Sequence, residues 1–382
     1  MKVHFFTKSD DFYKNVIREV SMAQHSIFIE CYIFEYFKES KELLESLANA
    51  QKKGLDVRVI LDGFGSQNFI AFELEVFQKM SIPYRIFNPI PLYFLKSNFL
   101  EWKRLKQLFS LAKVLKIGNR RNHRKLVLVD SKIAFIGSQN WSIDHIKTEK
   151  KPIPWKDIGI KITEDSLEIL SRSFLQIWRV SQEKNTFKLF KGYPRLKNHN
   201  PMTENFKLNF SFLQRYRVNK FLIRQIKLAK KEIVIGSAYF LPKKSFLRAL
   251  KRASKRGVQV KLITSGPTDV KIVKLASYEL FEKMLKNSIS IYEYQKSHFH
   301  SKYFLFDETS LLIGSFNMNH RSLMHDLEIL FEIKNRQDIL DFKEYIKDDL
   351  GSSSVVSLDS LKNRSWLEKI LSKILYRIRY IL

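Results

Sequence analysis

Two stretches of the 382-residue chain carry one set of reactive side chains in one frame. His123 to Asn140 reads HRKLVLVDSKIAFIGSQN, and His300 to Asn317 reads HSKYFLFDETSLLIGSFN. Both follow H-x-K-x4-D-x6-G-S-x-N, and six particular residues at identical offsets are a repeat rather than a coincidence. On a strand, residues two apart point to one side, so His123 and Lys125 are expected to share a face, as are His300 and Lys302. Ser138 and Asn140, and Ser315 and Asn317, have the same spacing and join that surface if the strands are neighbours. A twofold arrangement would then converge two His, two Lys, two Ser and two Asn on one pocket, with no carboxylate in contact with substrate.

Such a pocket suits a phosphodiester. Ammonium and amide groups stabilise the charge that builds on the non-bridging oxygens as phosphorus becomes five-coordinate. One neutral imidazole attacks phosphorus to form a phosphohistidine, while the other, protonated, donates to the leaving oxygen and later deprotonates the incoming alcohol or water. This scheme needs no metal or other cofactor. Each imidazole needs a partner on its other nitrogen to fix its tautomer. Asp157 and Glu328 follow their histidines by 34 and 28 residues and are the expected orienters. Asp130 and Asp307 fall on the opposite strand face and are expected to support the motif by capping the turn after each strand. Tyr32 and Tyr239 read as core or pocket wall, and His4, His25, His145, His199, His298, His320 and His325 as ordinary core or surface histidines.

The elements that must hold these residues repeat as well. Ala23 to Gly63 and Ala229 to Gly266 each read as an apolar strand, an amphipathic helix, a glycine stop (Gly54, Gly257) and a second strand. Strand, helix and strand in succession predict an α/β fold, a parallel or mixed sheet with helices on its faces. The distance from glycine to histidine is 69 positions in the first half and 43 in the second, so the first half carries an insertion, placed near 91–121. The expected organisation is a first lobe at 1–181, a connection at 182–209, a second lobe at 210–350 and an amphipathic basic segment at 351–382.

With 45% hydrophobic and 28% charged residues the chain is globular rather than disordered. Its 67 Lys and Arg against 39 Asp and Glu give a net charge of +28, which calls for a polyanionic partner. The lone Cys31 excludes an intrachain disulfide framework and a cysteine-rich metal site, and fits a reducing compartment. No signal peptide and no membrane-spanning segment is expected. From Trp366 to Leu382 apolar residues recur at helical spacing among Lys369, Lys373 and Arg377, the pattern of an interfacial anchor for anionic lipid. The insertion, with Trp102, Leu105 and Phe109 among lysines and arginines, offers a second anchor.

The duplicated HKD motif resembles the phospholipase D superfamily, and the LDGFGS stretch, the RRNHRK run, AYFLP at Ala238 to Pro242 and GSFNMNHRSLMHDLE at Gly314 to Glu328 are most similar to bacterial cardiolipin synthases of the B type. That resemblance implies a pseudo-twofold pair of α/β lobes with one active site at their interface. It also implies transfer of a phosphatidyl group from one phosphatidylglycerol to another, giving cardiolipin and glycerol. Carried over, it makes His123, Lys125, Asn140, His300, Lys302 and Asn317 the site, with His123 as nucleophile and His300 as acid and base. Asn317-Met318-Asn319, where the family commonly shows Asn-Leu-Asp, and Asp326-Leu327-Glu328, where it shows Asn-x-Glu, bear on substrate choice. The superfamily also holds hydrolytic phospholipases and nucleases; no nucleic-acid-binding motif is present here, so the expected partner is an anionic phospholipid membrane, met peripherally at its cytoplasmic face.

Overall fold

The computed structural model describes residues 1–89, 120–149, 151–181 and 205–380. The expected insertion, but for its last two residues, and most of the expected connection lie outside them. Among the described residues, fifteen strands form two sheets: β1 (Lys2–Phe6), β2 (Ser26–Cys31), β3 (Asp56–Asp62), β4 (Tyr84–Phe87), β5 (Leu126–Val129), β6 (Ile133–Gly137) and β7 (Gly159–Thr163) in one, and β8 (Phe206–Leu208), β9 (Glu232–Ser237), β10 (Gln259–Ser265), β11 (Ile289–Tyr294), β12 (Lys302–Phe306), β13 (Ser310–Gly314), β14 (Ile329–Ile333) and β15 (Ser353–Val355) in the other.

The sheets repeat one order. The first runs β1-β7-β6-β5-β2-β3-β4, and the second runs β8-β14-β13-β12-β9-β10-β11 with β15 added at its edge. In each, three strands are parallel (β2, β3, β4; β9, β10, β11) and the others pair antiparallel, so both sheets are mixed. Gly54 and Gly257 end the first helix of each repeat at φ +85 and +89, a conformation that costs a side chain and not glycine. β8 falls inside the stretch expected to connect the lobes and β15 inside the expected terminal segment; strands of three residues leave no periodicity to read.

Burial on both faces explains why the central strands are apolar without alternation. In β5, Leu126 and Leu128 enter a core shared by both sheets, while Val127 and Val129 pack outward beneath the helices Ser9–Ser21 and Lys38–Lys52. β12 does the same with Tyr303 and Leu305 against Phe304 and Phe306, the latter two under the helices Phe212–Leu228, Lys244–Lys255 and Lys271–Leu285. Two further helices, Glu168–Val180 and Arg336–Gly351, contribute Phe174, Ile177, Phe342 and Ile346 to the shared core. The two lobes therefore share a common interior. No helix among the described residues is long and apolar enough to cross a membrane.

Candidate active site

Each reactive histidine stands just before a central strand, not on it, and is fixed by a segment of the opposite lobe. His123 N–H donates to the Leu327 carbonyl at 3.0 Å, and Leu327 N–H to the Arg121 carbonyl at 2.8 Å. The second lobe repeats this: His300 N–H donates to the Lys156 carbonyl at 2.8 Å and Lys156 N–H to that of His298 at 2.9 Å. These bridges deliver each carboxylate to the other lobe's histidine. Glu328 accepts from His123 Nδ1 at 3.0 and 3.1 Å, and Asp157 accepts from His300 Nδ1 at 2.8 Å. The expected pairing within a lobe is thus corrected to a pairing across lobes, because the lobes dock with their motif ends facing. Either way, Nδ1 is engaged and Nε2 is left for chemistry.

The serines are also placed differently from expectation. Ser138 Oγ donates to Asp157 at 2.6 Å and Ser315 Oγ donates to Glu328, so both support the carboxylates from behind instead of facing substrate. A third donor completes each carboxylate: His145 Nδ1 on Asp157 at 2.5 Å, and Ser322 Oγ on Glu328 at 2.6 Å. Sequence alone gives His145 as an ordinary core or surface histidine. Its signal was available, since it stands five residues after Asn140 as Ser322 stands five after Asn317. His145 Nε2 accepts from the Asn140 backbone N–H at 3.3 Å, which fixes its tautomer.

The two dyads differ electrostatically. Burial works to raise Asp157, but His145 and His300 outweigh it and hold the carboxyl well below its usual range. Burial pushes Glu328 up to about 7 against the pull of Lys125 and its serine donors. Both reactive histidines are driven well below the usual imidazole range, first by burial and then by the nearest lysine. Those lysines, unlike the histidines, are not among the residues that line the cleft. Lys125 and Lys302 are buried and donate to the carbonyls of His123 and His300 at 3.0 and 2.5 Å. Burial brings Lys125 down to about 8, and burial with Lys125 nearby drives Lys302 well down.

Above them opens a cleft of about 320 Å³, lined by His123, His300, Asn140 and Asn317 together with Tyr32, Tyr239 and Trp155. Asn140 and Asn317 each keep a buried side-chain oxygen with no hydrogen-bond partner, capacity that a ligand can use. Two carboxylates, Asp269 and Asp326, also line the cleft, contrary to the expected absence of any. Asp130 and Asp307 lie away from it. Each stands at positive φ and accepts three backbone N–H groups, from Gln24, His25 and Ser26 or from Lys230, Lys231 and Glu232, at 2.7 to 2.9 Å. They tie down the start of the neighbouring strand, β2 or β9, rather than the turn after their own. Burial would raise both carboxyls, but these donors overcome it and hold them below their usual range.

His145, Asp157 and His300 are the described side chains nearest to a metal-ligand grouping, with polar atoms within 4.8 Å of one another. Separations of 2.5 and 2.8 Å between ring nitrogen and carboxylate are hydrogen bonds; two ligands on one zinc at about 2.0 Å each would stand roughly 3.3 Å apart. The three side chains are thus joined by hydrogen bonds.

The chain is 26% identical to cardiolipin synthase B of Salmonella typhi over 374 residues, covering 96% of this chain and 84% of that one. It is 28% identical to cardiolipin synthase 1 of Bacillus cereus over 385 residues, covering 98% and 72%. The fold matches that of the phosphatidylserine synthase of Haemophilus influenzae Rd KW20 with a TM-score of 0.70 at 13% identity, covering 100% of this chain and 95% of that one. The sequence pattern described as "Cardiolipin synthase, PLD-like domain" matches residues 16–150 and 222–350, one match for each half of the duplicated site. With both copies of the motif matched and both facing one cleft, the chain belongs to the cardiolipin synthase family of phospholipase D-like proteins.

Proposed function

We propose that the chain is a phosphatidyltransferase of cardiolipin synthase type, working on phospholipids through a phosphohistidine on His123. His123 Nε2 attacks the phosphorus of one phosphatidylglycerol; the N–P bond forms as the P–O bond to glycerol breaks, and His300 gives its Nε2 proton to the departing oxygen. A hydroxyl of a second phosphatidylglycerol then gives its proton to His300 and attacks phosphorus, and His123 leaves, which yields cardiolipin and glycerol. The role split follows from the carboxylates. Asp157, held as a firm anion, supports positive charge on His300; Glu328, lifted toward neutrality, leaves His123 uncharged and nucleophilic. The anionic phosphate raises the proton affinity of His300 as it enters. Lys125 and Lys302 below the floor, with Asn140 and Asn317 in the wall, stabilise the five-coordinate phosphorus.

The observation that carries this reading is the pair of cross-lobe imidazole–carboxylate dyads facing one cleft. The division into two lobes with a connection at 182–209 belongs to the same proposal. So does peripheral attachment to an anionic membrane at its cytoplasmic face. The helix Trp366–Arg377 supports it, packing on the helix Lys271–Leu285 with Ser372 and Leu375 inward while Trp366 (68%), Leu367, Ile370, Leu371, Ile374 and Ile378 face outward. Apolar side chains among Lys369, Lys373 and Arg377 suit an anionic interface. Beyond the helix, Tyr380 lies edge-on His320, whose chain neighbours Asn319 and Arg321 line the cleft.

The test is lipid mass spectrometry after incubating the purified protein with phosphatidylglycerol vesicles. Wild type should form cardiolipin, and His123→Ala and His300→Ala should each lose at least about 10³-fold in rate. Phosphatidic acid as the sole product would make the chain a hydrolase and overturn the transferase reading.

A further inference from the structure

Arg321 lines the cleft 3.4 Å from Asp326, and around it the second lobe gathers cations. The Arg321 carbonyl accepts from the His325 backbone N–H at 2.8 Å, and the His325 and His320 rings lie 5.7 Å apart. Tyr380 packs edge-on His320 at 4.7 Å, and its Oη accepts from Arg379 at 2.6 Å. Arg215, on the helix Phe212–Leu228, and Lys243, the residue before the helix Lys244–Lys255, complete the group. Like charges crowd here. Burial first, then Arg321, Arg215 and Lys243, brings His325 down to about 4; burial, then His325, Lys243 and Arg379, does the same to His320. Lys243 is lowered by burial and by Arg215. Among the described residues, no carboxylate forms an ion pair with Lys243, His320, His325 or Arg379. Arg379 is nonetheless only 5% exposed, and its Nε and His320 Nδ1 are buried without a hydrogen-bond partner. A buried cation without a counter-ion is costly, and an anion arriving from outside relieves both that cost and the mutual repulsion. Apolar surface flanks the group: Ile374, Ile378 and Tyr380 are exposed on the terminal segment, as are Phe212, Leu213 and Tyr216 on the helix that carries Arg215. Cations beside exposed aliphatic and aromatic side chains suit a phosphate that carries acyl chains rather than a free one.

We propose that Lys243, His320 and His325, with Arg379 behind them, form a second phospholipid site beside the cleft, which takes the phosphate of a bilayer lipid other than the one being cleaved. This rests on the membrane attachment proposed above and not on the chemistry at His123 and His300. A lipid phosphate held here, next to the outward apolar face of the terminal helix, sets the cleft against the bilayer from which its substrates come.

The full chain carrying His123→Ala, so that no lipid is turned over, is labelled with carbon-13 in its histidine rings and titrated with dihexanoyl phosphatidylglycerol below its critical micelle concentration. The ring signals of His320 and His325, assigned with His320→Gln and His325→Gln, should move along a saturating curve, and their titration midpoints should rise by about one pH unit or more as the anion binds. Adding Lys243→Gln should weaken the saturation read at these two rings about fivefold, and Lys243→Glu should weaken it further. Inorganic phosphate at the same concentration should move them far less; an equal response assigns the group to free phosphate and overturns the lipid site. Rings of His320 and His325 that stay still while that of His300 responds overturn the second site and leave the cleft as a lipid site, as does saturation that neither Lys243 variant changes. If no histidine responds to the lipid, the phospholipid reading of the cleft falls, and the second site with it.

Discussion

His123 and His300 stand in the same frame of sequence but not in the same field. The difference traces to position five after each motif asparagine, an imidazole at His145 and a hydroxyl at Ser322, so that Asp157 accepts from two ring nitrogens and one hydroxyl where Glu328 accepts from one ring nitrogen and two hydroxyls. The Glu328 side has a consequence for stability. Burial lifts its carboxyl from an ordinary 4.5 to about 7, so folding takes up a proton between those values. A raised carboxyl stabilises the native state fully below about pH 4.5, and that contribution is lost as pH rises toward 7. Glu328→Gln removes this term. The melting temperature of the variant relative to wild type should therefore shift in the variant's favour between pH 5 and pH 8; a difference independent of pH would contradict the assignment. From sequence alone, Asp157 and Glu328 were legible as orienting carboxylates by their place after the motif. Which histidine each serves was not, because that is fixed by how the lobes dock. Asp269 carried no repeat partner to betray it.

At the scale of elements, the strand–helix–strand units and their glycine stops were legible because each has a clear period and a clear terminator. The short edge strands β8 and β15 were not, since pairing with β14 and β11 creates them. The terminal helix was legible as amphipathic, but its orientation was not. Leu375, one of its apolar series, turns inward against the helix Lys271–Leu285, and the remaining apolar residues face outward. A helix so placed should hold the protein on lipid and contribute little to the fold. Ile370→Glu with Ile374→Glu should weaken sedimentation with phosphatidylglycerol vesicles at least about tenfold, because burying one such side chain is worth about 1.5–3 kcal/mol. The melting temperature should barely move, since both residues are exposed. Undiminished vesicle binding would remove this helix from the membrane face.

On the scale of the molecule, duplication has produced one site rather than two. Neither lobe holds a complete dyad: His123 depends on Glu328 and His300 on Asp157, and the shared core keeps the two docked. The twofold plan was legible in the repeated frame. The crossing of the carboxylates, and the difference between the two dyads that supports the proposed roles, emerge only when the lobes meet. These roles separate with a phosphatidyl ester of p-nitrophenol, whose leaving group needs no proton. His300→Ala should then release one equivalent of p-nitrophenolate in a burst and stall, with the phosphatidyl group bound to the peptide that contains His123, detected by mass spectrometry at neutral pH. His123→Ala should give neither burst nor adduct. A burst from His123→Ala with the label on the peptide that contains His300 would reverse the assignment and contradict the account.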